Sequence, residues 1–167
     1  DFVIFNRKKG IICLEAKAGR VKYENGYWYY SNGVPMHNGG PFNQADANKW
    51  KLKKYFEDKK QTDVLKKCKF LHAVWFPSVT NEMLKNMTLP SEADSQMILT
   101  KEALTEPQAY IDKVFDIKLP NGIETDVSET SCKMIIRNIL CPQFDVFPTS
   151  SLEADLKKTA FHRLLRE

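Results

Sequence analysis

Gly10 is the residue that most constrains this chain. It ends the basic turn "RKKG", which separates two apolar runs, "DFVIFN" and "IICLEAK". Runs rich in Val, Ile and Phe around such a turn read as a β-hairpin over residues 1 to 17. With Gly10 in the left-handed position, the reading is a three-residue loop of Lys8, Lys9 and Gly10. That loop pairs Arg7 with Ile11, Phe5 with Cys13, Val3 with Glu15 and Asp1 with Lys17. Side chains alternate along a strand, so Asp1, Glu15 and Lys17 then share one face at the open end of the hairpin. Asp1 and Glu15 become diagonal neighbours, roughly 7–8 Å apart at the backbone. A two-residue turn at Lys8-Lys9 would slip the register by one and turn Asp1 away from Glu15. Lys-Lys is a poor pair for that turn, and Gly10 favours the longer loop.

The opposite face of the hairpin carries Phe2, Ile4, Ile12, Leu14 and Ala16, which read as core. Val3, Phe5 and Cys13 are apolar beneath the charged trio, so the hairpin is expected to be covered on both sides and central in its sheet. Two acids and a lysine at the edge of such a sheet are costly unless compensated, and a divalent cation compensates them. The chemistry that fits is metal-assisted phosphodiester hydrolysis. Asp1 and Glu15 would hold the cation, which polarises the phosphate and lowers the pKa of a bound water. Lys17 would orient that water or stabilise the developing charge. The string Glu-x-Lys has little weight by itself, since it recurs at Glu57-Asp58-Lys59 on a lysine-rich segment. The bland alternative for the first copy is a weak surface ion pair.

Downstream, Asn25-Gly26 suits a type I′ turn and predicts a second hairpin flanked by Tyr23, Tyr27, Trp28, Tyr29 and Tyr30. "NGVPMHNGGPFN" reads as loop. Residues 43–60 read as a helix with Ala45, Ala47, Trp50, Tyr55 and Phe56 as its apolar stripe and lysines opposite. "KFLHAVWF" (69–76) reads as a buried strand stopped by Pro77, 77–95 as mostly loop, and "QMIL" (96–99) as a short strand. Residues 101–119 read as helical, with Pro107 breaking the helix or starting a second piece. Asp126 with Glu129 predicts a capped helix running to about Cys141 and ended by Pro142. Ser151 predicts the cap of a last helix from Leu152.

The bulk properties bound the function classes. The chain has 167 residues and a formal net charge of +4. This permits a polyanionic partner without demanding one. Cys13, Cys68, Cys132 and Cys141 stand apart with no C-x-x-C pair, and His37, His72 and His162 are scattered. Neither a zinc site nor a disulfide framework is expected, and reduced thiols in a cytoplasmic setting are. Asn86-Met87-Thr88 reads as an accidental sequon there. No apolar run has membrane-spanning length, and no signal peptide is seen, so no membrane partner is expected. The chain opens inside a strand pattern and stops inside a helical one, so it is expected to be a fragment of something larger.

The run "DFVIFNRKKGIICLEAKAGRVKYENGYWYY…GGPFNQADANKWKLKKYF" resembles the nuclease-related domain (NERD), placed in the PD-(D/E)XK nuclease superfamily. The resemblance covers roughly residues 1 to 56. It rests on Asp1, the apolar hairpin, Glu15-x-Lys17, the aromatic segment and "PFNQA". It implies an α/β fold with a PD-(D/E)XK nuclease-like core, a central mixed β-sheet flanked by helices, and a Mg²⁺- or Mn²⁺-dependent nuclease activity on DNA. It implies Asp1, Glu15 and the backbone carbonyl of Ala16 as metal ligands, Lys17 as the catalytic lysine, and Gln44 as a residue that shapes the site or contacts the phosphate. For Gln44 the competing reading is a helix-start residue bonding loop backbone. Superfamily members usually carry a first helix before the strand that starts here, often bearing a Glu, and that helix is missing from this chain.

"NILCPQFDVFP" and "SSLEADLKKTAFHRLLRE" look similar to the segments that join such nuclease domains to a superfamily 1 (UvrD-like) helicase. The expected organisation is a nuclease core over 1–100, a helical extension over 101–149 and a helical linker over 150–167 toward a helicase domain. The chain itself shows no Walker motif. A role in defence or DNA repair fits such a fusion. Arg20, Lys49 and Lys53 are candidate DNA-backbone contacts, with contact expected to be sequence-independent and salt-sensitive. The bland reading of the lysine-rich helix is a solvated face. The Tyr27–Tyr30 segment could stack on single-stranded bases or simply pack in a sheet. The rival to a working nuclease is a nuclease-fold module that binds DNA or a partner and cuts weakly or not at all.

Overall fold

The first hairpin forms, with its register displaced from the sequence expectation. In the computed structural model, which describes residues 1–140, β1 (Phe2–Asn6) and β2 (Gly10–Ala16) are antiparallel. The pairs run from Asn6 with Gly10 through Val3 with Cys13 to Phe2 with Leu14. The loop is therefore Arg7-Lys8-Lys9, and the expected pairing is corrected by two residues. The cause is Asn6. Its side-chain oxygen accepts from the Lys8 amide at 2.9 Å and its carbonyl from the Lys9 amide at 3.1 Å, so the turn is built on Asn6. Gly10 keeps a positive φ of 132°, but a side chain there would also strike the Lys69 carbonyl oxygen at 2.7 Å. A shift of two preserves the faces of a strand. Continuing the ladder by one residue sets Asp1 directly opposite Glu15, where the sequence had them diagonal.

The second hairpin pairs β3 (Val21–Glu24) with β4 (Tyr27–Tyr30) across Asn25 and Gly26. Their φ values of 52° and 85° fit the type I′ turn that Asn-Gly favours. A loop leads into α1 (Pro41–Asp58), which starts two residues earlier than expected because Pro41 takes the first helical position. A short α2 (Thr62–Lys67) follows, with no counterpart in the sequence reading. Next come β5 (Phe70–Trp75), a one-turn α3 (Asn81–Lys85) capped by Thr80, and the two-residue strand β6 (Ile98–Leu99). A 3₁₀ turn covers Lys101–Leu104, and α4 (Pro107–Phe115) opens on Pro107, so that proline starts a second piece. The cap of α5 (Glu129–Ile135) is corrected: the Ser128 hydroxyl accepts from the Ser131 amide at 3.1 Å, while Asp126 pairs with Lys8.

The result is an α/β fold. Its four-stranded mixed sheet runs β1-β2-β5-β6, with β1 antiparallel to β2 and the remaining neighbours parallel. Helices cover both faces. Ile12, Leu14, Leu71 and Leu99 pack with Ala103, Val114 and Phe115 of the 3₁₀ turn and α4. On the other face α1 lies over β2 and β5, where Phe42 and Ala45 join Val74, Phe76 and Trp28. Phe56 is fully buried and meets Phe70 edge-on at 5.5 Å between ring centres. Burial of such a ring contributes about 1.5–3 kcal/mol.

Two expectations about burial are corrected. The hairpin is only half central. β2 is covered on both faces, but β1 is the sheet edge, and Phe2 and Val3 are 53% and 48% exposed. In α1 the buried stripe is Pro41, Phe42, Ala45 and Phe56, while Trp50 and Tyr55 are exposed. The sheet uses the face that repeats from Ala45 to Phe56, and Trp50 falls off it.

Asp1–Lys133 form one compact unit, which holds the sheet, and Met134–Glu167 belong to a second. Cys141, Pro142, His162, the Ser151 cap with its helix, and the expected linker over 150–167 lie outside the described residues. No helix among the described residues is long and apolar enough to cross a membrane.

Candidate active site

β2 carries the centre of the site because it is a central strand that runs out of apolar residues at its C-terminal end. Ile11 and Cys13 face α1, and Glu15 follows on the same face. Glu15 is only 5% exposed, one of three buried polar or charged residues among those described. The ladder to β5 continues past the strand, with the Lys17 amide donating to the Trp75 carbonyl at 2.9 Å. That hydrogen bond keeps the backbone extended, so the Lys17 side chain returns to the face of Glu15. Its Nζ lies 2.6 Å from Glu15 Oε1, and its side chain is 15% exposed.

A buried acid on a strand is costly unless paired, and Lys17 satisfies one of its two oxygens. Among the described residues no buried side-chain nitrogen or oxygen is left without a partner. A cavity of about 170 Å³ under α1 is lined by Asp1, Glu15, Val3, Cys13, Ala45 and Asn48 among others. Asp1 and Glu15 thus share one cavity, Lys17 holds Glu15, and Ala16 follows Glu15 in the strand.

Gln44 is placed differently. Its side-chain amide donates to the His37 carbonyl at 2.7 Å, bracing the loop before α1, and it is not among the residues lining the cavity. Asn48, one helical turn later, lines the cavity instead. Sequence reasoning missed Asn48, although its spacing of four from Gln44 marks the same helix face.

Also missed was a cluster one step down the sheet. His72 lies beside Cys13 across the β2–β5 ladder. Asp46 Oδ1 lies 2.5 Å from Lys49 Nζ and 3.5 Å from His72 Nδ1, and Lys49 Nζ is 3.3 Å from the same ring nitrogen. Burial, followed by the charge of Lys49, pushes the His72 imidazolium below its ordinary pKa against the pull of Asp46. Burial also acts on Asp46 and raises it, but Lys49 outweighs this and holds the carboxyl below its ordinary value. Cys13 is pushed up to about 11 by burial, which favours the thiol over the thiolate at neutral pH.

The basic candidates separate. Lys49 is committed to Asp46 and His72. Lys53 lies 5.0 Å from the ring centre of the exposed Trp50, on whose ring Lys49 also bears at 5.1 Å. Arg20 is exposed at the rim of a larger groove beyond Lys17.

The donors that could hold a cation are all oxygens. Among the described residues no three His, Cys, Asp or Glu side chains gather as a metal-holding group. The acidic residues that line the cavity are Asp1 and Glu15, and Ala16 is not among its lining residues. Such a pair suits Mg²⁺, which is usually held by one or two carboxylates and completes its shell with water and substrate phosphate. Comparison with known proteins finds no family model, no curated protein and no solved structure that matches the chain.

Proposed function

We propose that this chain is a metal-dependent DNA nuclease domain with a PD-(D/E)XK-like core, using Mg²⁺ or Mn²⁺. The observation that carries the reading is the meeting of Asp1 and Glu15 at one cavity, with Lys17 bonded to Glu15 beside it. Asp1 and Glu15 would hold the cation together with the Ala16 carbonyl. When bound, the cation polarises the scissile phosphate and acidifies a water. Lys17 supplies a fixed positive charge 2.6 Å from the carboxylate it shares, placed to orient the attacking water or stabilise charge developing on the phosphate. Linkage to a helicase belongs to the same proposal, carried by the resemblance of the C-terminal segments, and so does a cytoplasmic setting, carried by the separated cysteines with no C-x-x-C pair.

The test is cleavage of single- and double-stranded DNA by the purified chain. Cutting with Mg²⁺ or Mn²⁺, its loss in EDTA, and its loss in Glu15→Gln and Lys17→Met support the proposal. Equal cutting by wild type and both variants sinks it. A second reading is a nuclease-fold module that binds without cutting. It is favoured by one observation, the commitment of the Gln44 amide to the loop carbonyl of His37. DNA binding that survives Glu15→Gln, with no cutting in any metal, would select it.

A further inference from the structure

Directly beyond Lys17 the chain turns away from the sheet at Gly19, whose amide donates to the Ser78 hydroxyl at 3.3 Å. Here the second hairpin and the segment around α3 leave a groove of about 570 Å³ between them. This is within the range of about 300–1,000 Å³ typical of ligand sites. Arg20, Lys22, Tyr29, Tyr30, Met83 and Met87 are among its lining residues. Three properties of this lining bear on its occupant. Arg20 is exposed and has no ion-pair partner among the described residues, whereas Lys22 is held by Glu24 at 2.8 Å. Met83 and Met87 are 54% and 39% exposed, unusual for side chains whose gain comes from burial. The two tyrosines are half-buried, anchored by the hairpin, and reach the groove as well.

We propose that this groove takes unpaired nucleotides flanking the phosphate at the Glu15–Lys17 end of β2. The reading of that end as a cleavage centre is the nuclease proposal, on which this inference rests. Arg20 offers an anion contact, and the tyrosines and methionines offer flat or adaptable apolar surface for base faces. In a duplex those faces are already stacked on each other and cannot meet such a lining, so the occupant is single-stranded. The position fits. Gly19 and Arg20 follow Lys17 by two and three residues, and two residues of chain span at most about 7 Å. Gly19, which lines the groove, thus lies at most about 7 Å along the chain from Lys17, so the groove opens beside the end of β2 that carries the Glu15–Lys17 pair.

The test measures binding in EDTA, where nothing is cut, by fluorescence anisotropy. The probes are an oligothymidine, a hairpin duplex and a polyglutamate peptide. The oligothymidine is expected to bind more tightly than the duplex, with polyglutamate a poor competitor. Arg20→Ala is expected to weaken oligothymidine binding about tenfold and to lower the salt slope by about 0.7. Tyr29→Leu and Met87→Ala are expected to weaken it about fivefold or more, with thermal unfolding unchanged. Equal binding of the duplex, strong competition by polyglutamate, or indifference to all three substitutions overturns the proposal. If single-strand binding behaves as expected but no metal supports cutting, the groove stands and the nuclease reading falls. If cutting is present and Arg20, Tyr29 and Met87 do not affect single-strand binding, the groove falls and the nuclease reading stands.

Discussion

The chain contains the string Glu-x-Lys twice, and the two copies behave as different objects. Glu15 and Lys17 lie at the end of a central strand, where residues two apart share a face, and they meet at 2.6 Å, largely out of water. Glu57 and Lys59 lie at the end of α1, where residues two apart point to different sides of the helix. Both are exposed, and Lys59 bears on the Tyr55 ring at 5.4 Å. The difference lies in backbone period and burial, since the residue types at the two ends are the same. A charged pair acquires chemical potential only where the fold has removed its alternatives.

The sharpest way to break this comparison is on activity. Glu15→Gln is expected to lower metal-dependent cleavage at least about a hundredfold, since even residues that merely support metal ligands cost about 10–100-fold when lost. Glu57→Gln is expected to leave the rate unchanged in the same assay.

Stability separates the copies next. Lys17→Ala leaves Glu15 buried without its partner and is expected to cost about 3–5 kcal/mol in urea unfolding, whereas Lys59→Ala should stay within about 0.5 kcal/mol. The double variant Glu15→Gln with Lys17→Met should recover much of the loss. If it does not, the pair is not the source of the cost. A smaller effect tests the turn that brings Asp1 across. Gly10→Ala combines a positive φ with a collision against the Lys69 carbonyl, and should cost about 1–3 kcal/mol. Gly19, whose surroundings are open, isolates the strain of positive φ alone and should cost less.

The smallest effect concerns the cluster beside the site. His72 has a lowered pKa, so the folded state favours the neutral ring and binds fewer protons than the unfolded chain as pH falls below the ordinary histidine value of 6.5. Stability is thus held above that value and lost as pH falls through it toward the folded pKa. Asp46, also lowered, adds a loss in the same direction at lower pH, below the ordinary aspartate value of 3.8. Melting temperature should therefore decline between pH 7.5 and 5.5, and His72→Asn should flatten the decline. An unchanged slope in that variant would show that His72 does not govern it.

Local signals carried far in this chain. Asn25-Gly26, Pro107 and the apolar runs at Ile11–Leu14 and Phe70–Val74 each mark an element that forms. The shared face of Asp1, Glu15 and Lys17 was legible as well. It survives an error of two in the register because side chains alternate with a period of two. What was not legible depends on partners distant in sequence. The hairpin turn was misplaced because Asn6 competes for the turn through its own side chain. A helical stripe can be drawn through Trp50 and Tyr55, yet the sheet packs against the face that includes Phe42, Ala45 and Phe56. His72 reads as an isolated histidine until β5 lies beside β2 and α1 brings Asp46 and Lys49 over it.

The sequence by itself determined the strands, their alternation and the identity of the charged residues at the end of β2, because these follow from local sterics and the period of the backbone. Only the tertiary structure decided that Glu15 is buried, that it lines a cavity together with Asp1, and that Gln44 is committed elsewhere. Those outcomes depend on which surfaces α1 and β5 exclude from water, and exclusion from water is a property of the packed molecule that no local stretch of chain possesses.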